Sequence, residues 1–278
     1  MKIAISAEST IDLQQDLLEK YDIKVIPYTV ILGNEEAIDG VITPQKIFDF
    51  VKQTNILPKT CAINEEQYYN FFNGMLKDYD AVIHFTLSKE ISSAYNHAVD
   101  ASKKLKNVYI INSASLSTGI ALLAIKAREL AEKGTTVETI VQTCTNLTEK
   151  VSASFILDKL DYLHKGGRCS GVALLGANLF SIKPQIILAN GKMIVGKKFL
   201  GKWDKLIGKY CEETLKAASS YDLEHAFITY TSASPECVEV ARKALEEKGF
   251  KNIHETHAGA TITSHCGPNT LGILFIKG

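Results

Sequence analysis

Two continuous apolar runs, DAVIHFTL (80–87) and NVYIINS (107–113), flank one amphipathic stretch, SAYNHAVDASKKL (93–105). A strand that is apolar on both faces must be covered on both faces. That condition is met by a parallel sheet whose strands are joined through helices. The rest of the first half repeats the alternation. KIAIS (2–6) reads as a strand, and DLQQDLLEKY (12–21) as a helix with Leu13, Leu17 and Leu18 on one face. IKVIPYTVIL (23–32) reads as strand, with Pro27 imposing an edge or a bend. Thr43-Pro44 and Asn64 are start signals for helices over PQKIFDFVKQ and EEQYYNFFNGMLK. STGIALLAIKARELAEKG reads as a long helix stopping at Gly134.

The pattern changes after residue 150. SASFIL (152–157) reads as a strand, and PQIILANGKMIVGKKFL (184–200) as two strands turning at Asn190-Gly191, residues that tolerate positive φ. A helix at about 203–219, a strand HAFITYT (225–231), a helix begun by Ser234-Pro235-Glu236 and a final strand LGILFIK follow. The fold class is therefore α/β in two domains. Residues 1–155 form an open, mostly parallel sheet with flanking helices, and residues 156–278 form a second α/β or α+β domain.

Composition narrows the function. The chain has 278 residues, 46% of them hydrophobic, with 31 basic and 31 acidic side chains. It can bury a large core, and it carries no global field to hold nucleic acid. Its six cysteines include no C-x-x-C pair, which argues against structural zinc and fits a reducing compartment. Glu8 interrupts any signal-peptide core, and the apolar run GIALLAI (119–125) is too short to span a bilayer. A cytoplasmic protein without stable membrane insertion is expected.

Four segments carry polar chemistry at the ends of elements. LPKTCAIN places Thr60 and Cys61 before a helix start, and SKEISSAYNHA places Ser92 and Ser93 after a strand and before a helix. Such positions favour anions, and they equally suit plain capping residues. LDYLHKGGRCSG reads as a helix closed by Gly166 or Gly167, with Arg168 directly after. THAGATITSHCGPNTLG sets His265 and Gly267 before an apolar strand. Glu8, Asp12 and Asp39 read as scattered carboxylates. The chain has no G-x-S-x-G elbow, phosphate loop or dinucleotide fingerprint. Hydroxyls with one His and one Arg suit holding a carboxylate or phosphate better than breaking a bond. A phosphotransferase or hydrolase using His265 is the competing reading.

Together these segments resemble the DegV family of fatty-acid-binding proteins. SAESTIDL is similar to the family's T-D-S-t-x-D-L, with Glu8 in place of Asp. IDGVITPQKIFDFV is similar to D-G-x-x-i-s-p-e-x-f, PKTCAINEEQY to P-t-T-S-q-P, and ISSAYNHA to L-S-G-T-Y-q-S-A. YLHKGGRCS is similar to Y-L-k-k-G-G-R-i-s, SIKPQIILANGKM to n-I-K-P-i-l, and SHCGPNTLGILF to g-x-H-x-G-P-g-a-l-G. The resemblance covers essentially the whole chain. It implies two α/β domains enclosing one long-chain fatty acid and no cofactor. The carboxylate is held by hydroxyls that map to Thr60 and Ser92, with His265 close by. It also implies delivery of the acid to a separate ATP-dependent fatty acid kinase subunit, as in firmicute bacteria, with no catalysis by the binding subunit alone. Three departures stand out. Cys61 replaces a serine, Ser93-Ala94 replaces Gly-Thr, and Leu200 replaces an arginine associated with the kinase complex. Headgroup contacts are therefore expected at Thr60 and Ser93, with Cys61 a weaker donor. Arg168 is expected at the headgroup entrance or the kinase surface, unpaired with the carboxylate.

Overall fold

The computed structural model describes residues 1–169 and 182–278. Ser170, Gly171 and Ser181, which belong to the GGR and SIKP segments, lie outside the described residues. The apolar runs form the expected sheet. Ile23–Ile26, Ile3–Glu8, Ala81–Thr86 and Val108–Asn112 lie side by side in that order, every pair parallel. All six residues of both central strands are buried.

Pro27 does more than bend the second run. The run divides into Ile23–Ile26 and Thr29–Leu32, and the two halves join different sheets. Thr29–Leu32 pairs antiparallel with Glu35–Ile38 and with Lys59–Cys61. Neither partner was expected as a strand, being short, charged or beside a proline. The first helix is also shorter than expected, Gln15–Lys20. Asp12 sits in the left-handed region at φ 55°, closing a 3-10 turn over Ser9–Ile11 and delaying the helix.

The second unit is a six-stranded mixed sheet ordered Lys192–Leu200, Ile182–Ala189, Val151–Leu157, Thr270–Lys277, Tyr221–Tyr230, Asn252–His257. The last pair is parallel and the others antiparallel. The hairpin turns at Asn190 and Gly191, with φ 50° and 77°. The expected boundary between residues 155 and 156 falls inside Val151–Leu157, and among the described residues that strand pairs only within the six-stranded sheet.

Helix Thr118–Glu132 lies between the two sheets and touches strands of both. From Thr118 to Ile125 every residue is buried. A helix covered on all sides must be apolar all round, which explains its run of Ile, Ala and Leu. Its burial merges the parallel sheet and the inner face of the six-stranded sheet into one hydrophobic core, from Ile3 to Ile276. A second cluster, including Leu206, Tyr210 and Phe275, fills the outer face of the larger sheet.

Candidate functional site

The carboxyl ends of the parallel strands face the inner side of the six-stranded sheet across a cavity of about 280 Å³. The polar side chains reach it from several elements. Thr60 comes from the middle of Lys59–Cys61, and Ser92 and Ser93 from the approach to helix Ala94–Ser102. His265 comes from the last turn of a short helix, Ala260–Cys266, and Arg168 from just beyond Gly167. Tyr28 enters from the break after Pro27. The remaining wall is mainly apolar: Ala62, Leu87, Ile91, Leu116, Leu163, Met193 and Ile262. A cavity of about 30 Å³ lies beyond, sharing Leu116, Ile262 and Cys266 and reaching Phe155 and Leu274.

Two hydrogen bonds organise the polar end. Thr60 Oγ1 lies 3.0 Å from His265 Nε2, and Tyr28 Oη lies 2.9 Å from Ser92 Oγ. Burial, and then the positive charge of Arg168, lower the His265 pKa to about 4, so the imidazole is neutral near pH 7. Its Nδ1 is buried without a hydrogen-bond partner among the described residues. Arg168 is exposed and donates from Nη1 to the Gly166 carbonyl at 2.7 Å, which places its guanidinium at the rim. Gly167, at φ 69°, caps the helix Asp161–Gly166 by the left-handed conformation expected of one of the paired glycines.

The cavity therefore brings together Thr60, Ser92, Ser93, His265 and Arg168. Cys61 and Gly267 do not line it. Cys61 follows Thr60 on a strand, where successive side chains point to opposite faces. It is exposed and lines a separate depression with Pro27, Glu36 and Gln67. Gly267 is needed for packing. At φ 71°, a Cβ there would meet the Tyr162 ring at 2.6 Å, so only glycine lets the Asp161–Gly166 helix approach.

Sequence reasoning missed the residues behind the site. Asp12 and Asp39, read as scattered, converge on the start of the helix that carries His265. Gly259 N donates to Asp12 Oδ1 at 2.8 Å, and Ala260 N to Asp39 Oδ1 at 2.7 Å. Ser117 and Ser9 donate to the other carboxylate oxygens. Burial raises the Asp12 pKa well above its usual value. Glu8 is fully buried and accepts from Tyr68 Oη at 2.5 Å and from Leu87 N at 2.9 Å. Burial pushes its pKa up to about 7 against these hydrogen bonds. The available signal for Glu8 was its place at the end of the buried run IAISA. Nothing local marked the pairing of Asp12 with Asp39, which are joined only by the fold.

These features define a class: an α/β protein with a mainly apolar, polar-tipped cavity between its two larger sheets. A model described as "Uncharacterised protein, DegV family" matches residues 2–278, and the chain belongs to the DegV family. A Thermotoga maritima relative described as a fatty acid-binding protein is 30% identical, over 98% of this chain and 96% of that one. A solved Thermus thermophilus structure, described as fatty acid binding of a DegV family protein, has a TM-score of 0.91 at 26% identity and covers 100% of both chains. Bacillus subtilis DegV, described as a fatty acid binding protein, has a TM-score of 0.87 at 25% identity, again over 100% of both.

Proposed function

We propose that this protein binds one long-chain fatty acid between its two sheet units and presents the carboxylate to a partner kinase that makes the acyl phosphate. The observation that carries the reading is the polarity of the cavity. Hydroxyls of Thr60 and Ser92, a neutral imidazole and the Arg168 guanidinium cluster at one end. Leucine, isoleucine and methionine cover the rest. An acyl chain gains about 0.8 kcal/mol for each buried methylene, on the order of 10 kcal/mol for a long chain. That gain requires a dry wall, and a carboxylate drawn to its edge requires donors. The two neighbouring cavities, about 280 Å³ and 30 Å³ with three lining residues in common, together match the lower end of small-molecule pockets, about 300 Å³. What the Thermotoga, Thermus and Bacillus relatives are described as binding supports the same ligand class.

The binding subunit has no catalytic step of its own in this reading. No carboxylate orients His265 Nδ1 among the described residues, so the general-base arrangement of a hydrolase has no support here. Leu200, 67% exposed on the hairpin strand, stands where the family often carries an arginine, so this chain offers no cation at that position. The test is a titration with palmitate and oleate. One site per chain is expected, with Thr60→Ala and Ser92→Ala each about tenfold or more weaker, the loss of a hydrogen bond to a charged group. Unchanged affinity in both variants would refute the headgroup site. Turnover of an ester or acyl phosphate by the isolated protein, abolished by His265→Ala, would establish the enzyme reading instead.

A further inference from the structure

Five hydroxyl-bearing residues line the main cavity: Tyr28, Thr60, Ser92, Ser93 and Thr261. Three of them are already bonded, Thr60 to His265 and Tyr28 to Ser92. Ser93 is exposed. Thr261 is 3% exposed, and its Oγ1 is buried with no hydrogen-bond partner among the described residues. A buried hydroxyl without a partner costs free energy, and native structures hold few of them. The helix that carries it shows why this one is left over. Helical serines and threonines commonly donate back to a carbonyl of the preceding turn. Ser264 does so, to the Ala260 carbonyl at 2.7 Å, and Thr263 reaches the Ala258 carbonyl at 3.2 Å. Thr261 is the second residue of Ala260–Cys266, so the carbonyls behind it lie outside the helix. Those of His257 and Ala258 already accept from Gln14 and Thr263.

We propose that Thr261 is a further ligand-binding residue, its hydroxyl donating to the carboxylate of the bound acid beside Thr60 and Ser92. The inference rests on the fatty-acid reading above. The helix sorts its side chains between the two ends of the ligand. Thr261 and His265 line the main cavity and not the far one, whereas Ile262 and Cys266 line both. Residues four apart share a helix face, so Thr261 stands one turn from His265 on the polar side. His265 Nε2 is bonded there to Thr60 at 3.0 Å. Thr261 N donates to Asp39 Oδ2 at 3.3 Å, and Asp39 N donates to the Tyr28 carbonyl at 2.9 Å. Thr261 is thus tied to both hydrogen-bonded pairs of the polar end, Thr60 with His265 and Tyr28 with Ser92.

The second unpartnered polar atom on this helix, His265 Nδ1, faces elsewhere. It is covered by the Asp161–Gly166 helix, where a Cβ on Gly166 would lie 2.7 Å from it. Thr261 is free of that constraint. A threonine in a helix populates two χ1 rotamers, so its hydroxyl and methyl exchange places without a backbone shift. A carboxylate offers about four lone-pair sites, more than the single protons of Thr60 and Ser92 fill. The Asp39 bonds fix the Thr261 backbone before the ligand arrives, so recruiting this donor orders little that was loose.

The experiment pairs palmitate affinity, by competition with a fluorescent fatty acid, with urea unfolding of the delipidated protein. Thr261→Val keeps the shape and removes the hydroxyl. Its palmitate affinity should fall about tenfold, the scale of one hydrogen bond to a charged group. Its urea midpoint without ligand should stay level or rise, because the hydroxyl removed there had no partner. The affinity loss should be smaller with hexadecanol, which has the chain and no carboxylate. Thr261→Ser keeps the hydroxyl and should bind palmitate like the wild type, whereas Thr261→Ala should bind as weakly as Thr261→Val, a comparison that stands if Thr261→Val does not fold. Unchanged palmitate affinity without the hydroxyl, an equal loss with hexadecanol, or a lower urea midpoint of the empty Thr261→Val protein overturns the inference while leaving fatty-acid binding intact. A wild type that ignores palmitate removes the fatty-acid reading and this inference with it.

Discussion

Thr60 and Cys61 are bonded neighbours whose side chains leave their strand in opposite directions, and their chemistry separates accordingly. Cys61 is exposed, whereas Cys144, Cys169, Cys211, Cys237 and Cys266 are buried. Burial also raises Cys144 and Cys211 to about 12, which keeps them as unreactive thiols. A thiol reagent applied to the folded protein should therefore label Cys61 first, with palmitate affinity unchanged. Mass mapping of the adduct checks the site, and lost binding would return Cys61 to the cavity wall. Buried histidines make an acid signature. His84 and His265 are lowered to about 3 and about 4. The unfolded chain binds their protons near the ordinary histidine pKa of about 6.5 and the native state does not, so stability is full above that value and declines as pH falls toward the native values. Urea midpoints should drop between about pH 6.5 and pH 4, less steeply in His84→Gln. Glu8 has the opposite sign. Its native pKa is raised to about 7, so its share of stability is present in acid and lost as pH rises through that value.

At the scale of elements, the hairpin and the His265 helix connect the two sheets. The hairpin tip docks on the end of the parallel sheet, where Ser88 Oγ donates to the Gly191 carbonyl at 2.7 Å. A Cβ on Gly191 would meet Ser88 Oγ at 2.5 Å, and its φ is positive. Gly191→Ala should cost about 1–2 kcal/mol, from left-handed strain plus the displaced serine, read from chemical denaturation. Asp39 accepts from Ala260 N and Thr261 N, so Asp39→Ala removes a cap and should cost about 1–2 kcal/mol. It should also weaken palmitate binding, because His265 rides on that helix. Most of these elements were legible beforehand. Thr43 and Asn64 cap their helices through bonds to Lys46 N and Gln67 N, and Asn190-Gly191 turns the hairpin. Ala260–Cys266 was not legible, because THAGATITSHC lacks an apolar period and its start is stabilised by carboxylates more than 200 residues away in sequence.

For the whole molecule, the hydrophobic runs were enough to give an α/β chain with a parallel sheet, because period and burial are local properties. They could not give the placement of Thr29–Leu32 in a third sheet, which depends on a break at Pro27 and on partners from distant segments. The site divides the same way. Thr60, Ser92, Arg168 and His265 stood out as polar residues at element ends, whereas Glu8, Tyr28, Asp12 and Asp39 gain their roles only through burial. A ligand enclosed between the units stabilises both together. Saturation with palmitate at about 100 times its Kd should add about 2.7 kcal/mol to unfolding, detectable as a rise in Tm. The most direct measurement is native mass spectrometry of the protein as purified, with solvent extraction of whatever it carries. Close to one equivalent of a long-chain fatty acid per chain is expected. A protein that is empty and stays empty when offered palmitate and oleate would contradict it.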